Sequence, residues 1–257
     1  MISLLNKFDD GYVINEEKDV LDIVSFYLKS NDLTEYLKDT SFDNESVYLA
    51  YYNIKEKTII LNNEKIREYC HKNVERLKQD YHISDEYYTY YLNFYYMEVL
   101  FHELTHAIQK KNYEHAKENS LCVYLYDLCR LLECSDLSFY NQNHDLLPLE
   151  IDATNNGYLK SYQLMTYTKL PGKETMLMHL EYLKKLLSNY RKINSFKVLA
   201  PLDKLHVKNP IVDIEEIYKL MDQEKTSKID RLNYGLDISP KEFDSIEKEK
   251  RKILLRR

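Results

Sequence analysis

Residues 102–106 read His102-Glu103-Leu104-Thr105-His106, the pattern HExxH, inside a long segment that the sequence predicts to be helical. Residues four apart in an α-helix lie one above the other on one face, because the helix has 3.6 residues per turn. Two imidazoles placed in this way can bind one Zn²⁺ at about 2.0–2.1 Å. Glu103 is the next residue round the helix, close enough to take a proton from a water that the metal holds. The motif therefore predicts zinc ligands at His102 and His106 and a catalytic base at Glu103.

The helix that carries the motif is too apolar for a solvated surface element. Burying two imidazoles and a carboxylate costs free energy unless they are paired or bind a metal, so an apolar surround favours a metal site. The alternative is a surface helix on which the motif histidines pair with Glu98 and Glu103. The predicted core face consists of Met97, Leu100, Phe101, Leu104 and Ile108, with Val99 and Ala107 extending it.

The residues after the motif exclude one class of zinc peptidase. Two histidines do not complete a catalytic zinc site, which usually has three protein ligands and an open position. Metzincins supply a glycine three residues after the second motif histidine and a third histidine six residues after it. Those positions hold Gln109 and Asn112 here. The remaining arrangement is His₂Glu, in which a later helix supplies a glutamate.

Glu150 is the preferred third ligand. Its predicted helix carries the small residues Ala153, Thr154 and Gly157 on the same face as Glu150, which would let that helix approach the motif helix closely. Asp152 is the main competitor, although it lies about 200° round the helix from Glu150. The other candidates are His144, Asp145 and Glu133.

The remaining pattern predicts a mainly helical α+β protein with a small β element beside the motif helix. Residues 47–52 and 58–61 are rich in β-branched and aromatic side chains and flank a polar stretch, which predicts a hairpin. Pro148 favours a helix start, because its missing N–H is not needed there. The expected helices span residues 17–37 (one or two, with Val20, Ile23, Val24 and Tyr27 on one face), 62–79 (capped by Asn62 or Asn63), 84–112 (capped by Ser84 or Asp85), 116–133, 148–166, 174–190 and 213–257.

Composition limits the location and partners of the protein. The chain of 257 residues is 44% hydrophobic and 30% charged, which is typical of a folded globular protein. Its net charge of −6 does not indicate nucleic-acid binding by the whole chain. No stretch approaches the roughly 18 apolar residues of a membrane span, and residues 1–10 lack the features of a secretory signal. We therefore expect a cytoplasmic protein without membrane contact.

The four cysteines predict packing rather than metal binding. Cys70, Cys122, Cys129 and Cys134 form no CxxC pair. Free cysteines in a reducing compartment are usually buried small hydrophobic residues, and we expect that role here.

Two short motifs together resemble a known family. The stretch HELTHAIQ at residues 102–109, preceded by the hairpin and followed by PLEIDA at residues 148–153, resembles gluzincin-type metallopeptidases of the IrrE/ImmA-like kind. In that group HExxH is followed by a helix with an ExxA or ExEA-like signature whose first glutamate binds zinc. The resemblance covers roughly residues 17–170 and implies a zincin-like fold, with His102, His106 and Glu150 as ligands of Zn²⁺ and Glu103 as the base. Members often cleave a regulatory protein, and several belong to mobile elements or stress responses.

Such a site needs further groups around the metal. A second stabiliser of the oxyanion is commonly a tyrosine or histidine, and the sequence does not choose between Tyr158, Tyr162, His144 and His179. Acceptors that orient the ligand histidines are also expected. Thr154 and Glu98 are the nearest candidates, with simple packing as the alternative for both.

The chain is expected to contain a second, smaller region. Pro201 and Pro210 punctuate a stretch with little periodicity at residues 192–212. We therefore expect a zincin-like metallopeptidase domain at residues 1–192 and a helical C-terminal appendage at 193–257. The appendage has one apolar face, which predicts docking on the body of the protein or on a protein partner. Its basic tail is interleaved with acids and lacks aromatics, which argues against nucleic acid. That apolar face contains Phe243, Ile246, Ile253 and Leu254.

The leading functional hypothesis is a zinc-dependent peptidase that hydrolyses a peptide or a specific protein. One alternative is a non-catalytic interaction protein in which the same site is structural or degenerate. The other is a regulatory protein of a mobile element, whose C-terminal helices bind a partner. The intact Glu103 favours catalysis, because a structural zinc site needs no base and more usually closes with a fourth protein ligand.

Overall fold

The computed structural model describes residues 2–81, 83–115, 126–127, 129–130, 133 and 137–169. This part of the chain is mainly helical with a small three-stranded sheet, which confirms the expected α+β class. The predicted helices at 174–190 and 213–257, the domain boundary and most of the predicted helix at 116–133 lie outside these residues. The helices are α1 (Ile2–Asp9), α2 (Glu17–Asn31), α3 (Asn63–Tyr81), α4 (Tyr88–His115), α5 (Leu137–Asn143) and α6 (Pro148–Met165). The strands are β1 (Asp39–Phe42), β2 (Ala50–Asn53) and β3 (Thr58–Leu61).

The sheet contains the predicted hairpin and one further strand. Strand β3 lies in the centre, antiparallel to β2 and parallel to β1. Ile59 and Leu61 of β3 are fully buried, as expected for a central strand facing a core. Strand β1 was not predicted, because it has only four residues and little apolar character. Its extended conformation depends on its pairing with β3.

Helix ends follow the predicted capping residues in part. The side chain of Asn62 caps α3, because its Oδ1 accepts a hydrogen bond from the backbone N–H of Lys65 at 3.0 Å. Pro148 is at the start of α6, as predicted. Ser84 makes no side-chain cap bond, and a 3₁₀ turn at Asp85–Tyr87 comes before α4. Helix α2 ends at Asn31, where Asp32 adopts a left-handed conformation with φ of 54°, so the prediction to residue 37 was too long.

Helix α4 is the centre of the structure. It packs against α6, α3, α1 and strand β2. Leu100 and Leu104 are completely buried and Phe101 almost so, which confirms the predicted core face. Even Asn93 is fully buried, and its amide donates to the backbone O of Tyr12 at 2.8 Å. Helix α1, which was not predicted, packs against α4. Among the helices of the described residues, none combines the length and apolar composition that crossing a membrane requires.

The contact between α4 and α6 is unusually close at Gly157. A Cβ atom at this position would lie 2.5 Å from the backbone O of Glu98 and 3.1 Å from the backbone N of His102. Ala153, one turn earlier, is fully buried. The small face predicted for α6 is therefore the face that packs against the motif helix, and it brings Glu150 towards the motif histidines.

Gly157→Ala should separate these two helices. Alanine normally stabilises a helix by about 1 kcal/mol relative to glycine, but here its methyl group meets a backbone carbonyl that cannot rotate away. We expect the free energy of unfolding to fall by about 1–3 kcal/mol, measured by urea denaturation. Asn155→Ala, on the same helix, is the control and should change it by less than about 0.5 kcal/mol. A Gly157→Ala protein as stable as wild type would contradict the close contact.

Candidate metal centre

Three side chains from two helices converge on one point. His102 and His106 lie on successive turns of α4, and Glu150 lies in the first turn of α6. The His102 and His106 Nε2 atoms are 3.2 Å apart. Oε2 of Glu150 lies 3.1 Å from Nε2 of His102 and 3.5 Å from Nε2 of His106. The three side chains predicted to be ligands are therefore adjacent, and they could hold a metal ion.

The spacing of the three donor atoms can be tested against a metal. Around a tetrahedral Zn²⁺ with bonds of 2.0–2.1 Å, neighbouring ligand atoms are about 3.3–3.4 Å apart. The observed separations of 3.1, 3.2 and 3.5 Å bracket that value. Two imidazole nitrogens and one carboxylate oxygen are also a donor set that zinc accepts. The residues therefore fit a zinc ion in both geometry and chemistry.

The electrostatics of the triad match its geometry. Burial alone would lower the pKa of His106, but the charge of Glu150 and the hydrogen bond that its carboxylate accepts from His106 raise that pKa to about 10. Burial alone would raise the pKa of Glu150, but the charge of His106 and hydrogen bonds from both histidines hold it well below its usual value. Glu150 is thus a carboxylate held in a buried position by the two imidazoles. A cation that replaced the imidazole protons would meet the same favourable charge.

The second nitrogen of each histidine has its own partner. Nδ1 of His102 lies 3.1 Å from the hydroxyl of Thr154, so this candidate partner is in contact with the ring. Nδ1 of His106 lies 2.8 Å from Oε1 of Gln109. Glu98 is buried, and its charge adds to the effect of burial in raising the pKa values of Cys70 and Tyr95. The sequence marks Gln109 only as a departure from the metzincin pattern, and its contact with His106 was not predicted.

Asp152, the main competitor for third ligand, points to another part of the interface. Its Oδ2 accepts a hydrogen bond from Nε2 of Gln109 at 2.8 Å, and its Oδ1 accepts one from Asn156 at 3.3 Å. Burial raises its pKa to about 7, against the lowering effect of those hydrogen bonds. It is not part of the group of donor atoms formed by His102, His106 and Glu150. The angular argument against Asp152 therefore agrees with the structure.

Glu103 lies beside the triad on α4. Its side chain is buried, and its charge contributes to the raised pKa of His106. Within the part of the chain that the structure describes, no hydrogen bond joins a protein donor to the Glu103 carboxylate. Two glutamates thus lie near the same two histidines in different settings, one paired with them and one available to another donor.

His144 is the described oxyanion candidate with a contact to the triad. Its Nε2 lies 3.5 Å from Oε1 of Glu150, and its side chain is 43% exposed. Tyr158 is buried against Phe94, two turns before the motif, with ring centroids 4.8 Å apart. Tyr162 is a partly buried neighbour of the main core. His179 lies outside the described residues.

The other candidates have simpler roles. Asp145 and Glu133 are exposed and lie outside the group of donor atoms. Cys70 and Cys129 are buried and free, as expected for packing residues. Cys122 and Cys134 lie outside the described residues.

Comparison of the chain with family models, with curated proteins and with solved structures finds no match. The interpretation of the site therefore rests on its own geometry and chemistry.

Glu150→Gln should remove the third donor and weaken zinc binding. Loss of a group that only orients a ligand costs about 10–100-fold in metal affinity, so loss of a charged ligand should cost more than about 100-fold. The affinity can be measured by competition with a chromogenic chelator. Glu133→Gln is the matched control, because it makes the same change at an exposed alternative position, and it should bind zinc as wild type does. Equal affinity in both variants would exclude Glu150 as a ligand.

Proposed function

We propose that this protein is a zinc-dependent peptidase that hydrolyses a peptide bond in a peptide or a specific protein. The observation that carries the proposal is the spacing of the donor atoms of His102, His106 and Glu150, which lies close to that of ligands on a tetrahedral zinc ion. The available carboxylate of Glu103 beside them supports catalysis over a structural role. A structural site would need no base there and would more usually have a fourth protein ligand.

Each residue of the site has a separate role in the proposed reaction. Bound zinc would lower the pKa of a water molecule towards about 7 and polarise the scissile carbonyl. Glu103 takes the proton of the attacking water and passes it to the leaving amine. Its carboxylate is open to this role because no donor among the described residues bonds to it. Thr154 fixes the ring of His102 through Nδ1. The α4–α6 interface holds the triad in place, so little reorganisation accompanies the reaction.

Glu103→Gln should separate binding from catalysis. Glutamine keeps the size of the side chain but cannot accept the proton, so bound zinc should stay at wild-type stoichiometry while cleavage falls by about 10²–10⁴-fold. Cleavage can be measured by mass spectrometry of new amino termini formed from a diverse peptide library. Glu114→Gln, at the exposed end of the same helix, is the control and should cleave as wild type does.

Either of two results would contradict the proposal. Cleavage by Glu103→Gln as fast as by wild type would remove the base from the mechanism. Zinc-loaded wild type without any cleavage of the library or of partner proteins would instead favour the non-catalytic interaction role.

His144 is our proposed second stabiliser of the oxyanion. It is half exposed and lies next to Glu150, on the carboxylate oxygen that the motif histidines do not contact. His144→Ala should lower kcat by about 10²–10³-fold, the usual cost of losing one oxyanion donor, with zinc still bound. His71→Ala is the control, because it removes an exposed histidine on α3. Unchanged kcat, or loss of zinc together with activity, would assign His144 to another role.

A further inference from the structure

A buried series of hydrogen bonds extends from His106 into the α4–α6 interface. Nδ1 of His106 lies 2.8 Å from Oε1 of Gln109. The amide nitrogen of Gln109 lies 2.9 Å from the backbone O of Leu149 and 2.8 Å from Oδ2 of Asp152. Gln109 is 1% exposed and Asp152 is 6% exposed, so water does not replace these partners. These hydrogen bonds join His106 on α4 to Leu149, the residue immediately before Glu150.

The chemistry of the partners fixes the direction of each hydrogen bond. A backbone carbonyl can only accept, so the Leu149 oxygen requires the NH₂ group of the Gln109 amide to face α6. The Gln109 oxygen must then face His106, and an amide oxygen can only accept. Nδ1 of His106 must therefore carry a proton. Which nitrogen of a histidine is protonated is normally an assumption, but here it follows from one carbonyl group.

We propose that Gln109 is a positioning residue that holds His106 with Nδ1 protonated and Nε2 directed at His102 and Glu150. Nε2 is the nitrogen that lies 3.2 Å from Nε2 of His102 and 3.5 Å from Oε2 of Glu150. A histidine whose Nδ1 keeps its proton offers Nε2 as its ligand atom. The importance of this arrangement for zinc rests on the proposed function, whereas the arrangement itself does not.

The position of Gln109 couples the ligand to the docking of α6. Gln109 is three residues after His106 on α4. The two side chains therefore lie on the same face of this helix and can contact each other. Its other partners, Leu149 and Asp152, lie in the first turns of α6, beside Glu150. If α6 moves away, Glu150 and the two partners that hold the Gln109 amide in place are lost together.

The first test reads the imidazole protons directly. Protein labelled with ¹⁵N on its 8 histidines gives separate Nδ1 and Nε2 signals, and His106 is assigned from the signals lost in His106→Asn. We expect a protonated Nδ1 on His106 that exchanges slowly with water, in both the zinc-free and the zinc-loaded protein. A His106 that lacks a proton on Nδ1, or whose Nδ1 proton exchanges as fast as that of an exposed histidine, would overturn the proposal without any variant at position 109.

The second test removes the hydrogen bond. Gln109→Met keeps the volume of the side chain but has no acceptor for Nδ1, so exchange of the Nδ1 proton should become at least about tenfold faster. Zinc affinity should fall by about 10–100-fold. The His102 signals are the internal reference, because Thr154 holds that ring independently. Gln163→Met, towards the other end of α6, is the matched control and should change neither quantity.

A third variant separates hydrogen bonding from packing. Gln109→Glu still accepts from Nδ1 of His106 but loses both donors to α6 and places two carboxylates side by side. We expect the Nδ1 proton to stay protected while the melting temperature falls at least as far as in Gln109→Met. If Gln109→Met and wild type show the same proton exchange and zinc affinity, Gln109 does not position His106. If the protected proton is present but zinc-loaded wild type cleaves nothing, the positioning role stands and only the peptidase proposal fails.

Discussion

The close contact of α4 with α6 at Gly157 is the constraint on which the site depends. Without a side chain at this position, the two backbones approach until a Cβ atom would overlap the carbonyl of Glu98. Two residues from different helices can be adjacent only when the distance between the helix axes suits their side-chain lengths. The short approach therefore places the Glu150 carboxylate within 3.5 Å of both motif histidines, although 43 residues of chain separate Glu150 from His106 in the sequence.

Burial of charge explains why the interface is polar as well as close-packed. A carboxylate between two imidazoles would be costly in an apolar interior unless each polar atom had a partner. Here both histidines contact Glu150, while Thr154 and Gln109 each contact the second nitrogen of one ring. The Leu149 carbonyl and Asp152 accept hydrogen bonds from Gln109. All these groups lie on α4 or α6. The same docking event thus forms the core and assembles the donor atoms, so the site cannot be loosened without exposing the core.

The sequence predicted the parts of this arrangement that depend on regular spacing. HExxH on an apolar helix, the small face of α6 and the choice of Glu150 over Asp152 follow from 3.6 residues per turn. Strand β1 and helix α1 could not be predicted in the same way, because both are short. Strand β1 depends on its pairing with β3, and helix α1 depends on its packing against α4. The role of Gln109 was missed, although its position three residues after His106 was a usable signal. With 25 tyrosines, aromatic residues gave no basis for choosing an oxyanion donor.

Glu103 and Glu150 show how identical side chains receive different chemistry from their surroundings. Glu150 comes from a second helix and meets both imidazoles end-on, where its charge is permanently compensated and its pKa is held low. Such a carboxylate stays in its charged form, because protonation would forfeit the attraction of His106 and the hydrogen bonds from both histidines. Glu103 lies on the same helix as the histidines, one position round, where helical geometry prevents it from pairing with them end-on. The HExxH spacing therefore places Glu103 beside the motif histidines, and the α4–α6 contact adds Glu150 as the third side chain that could hold a metal ion.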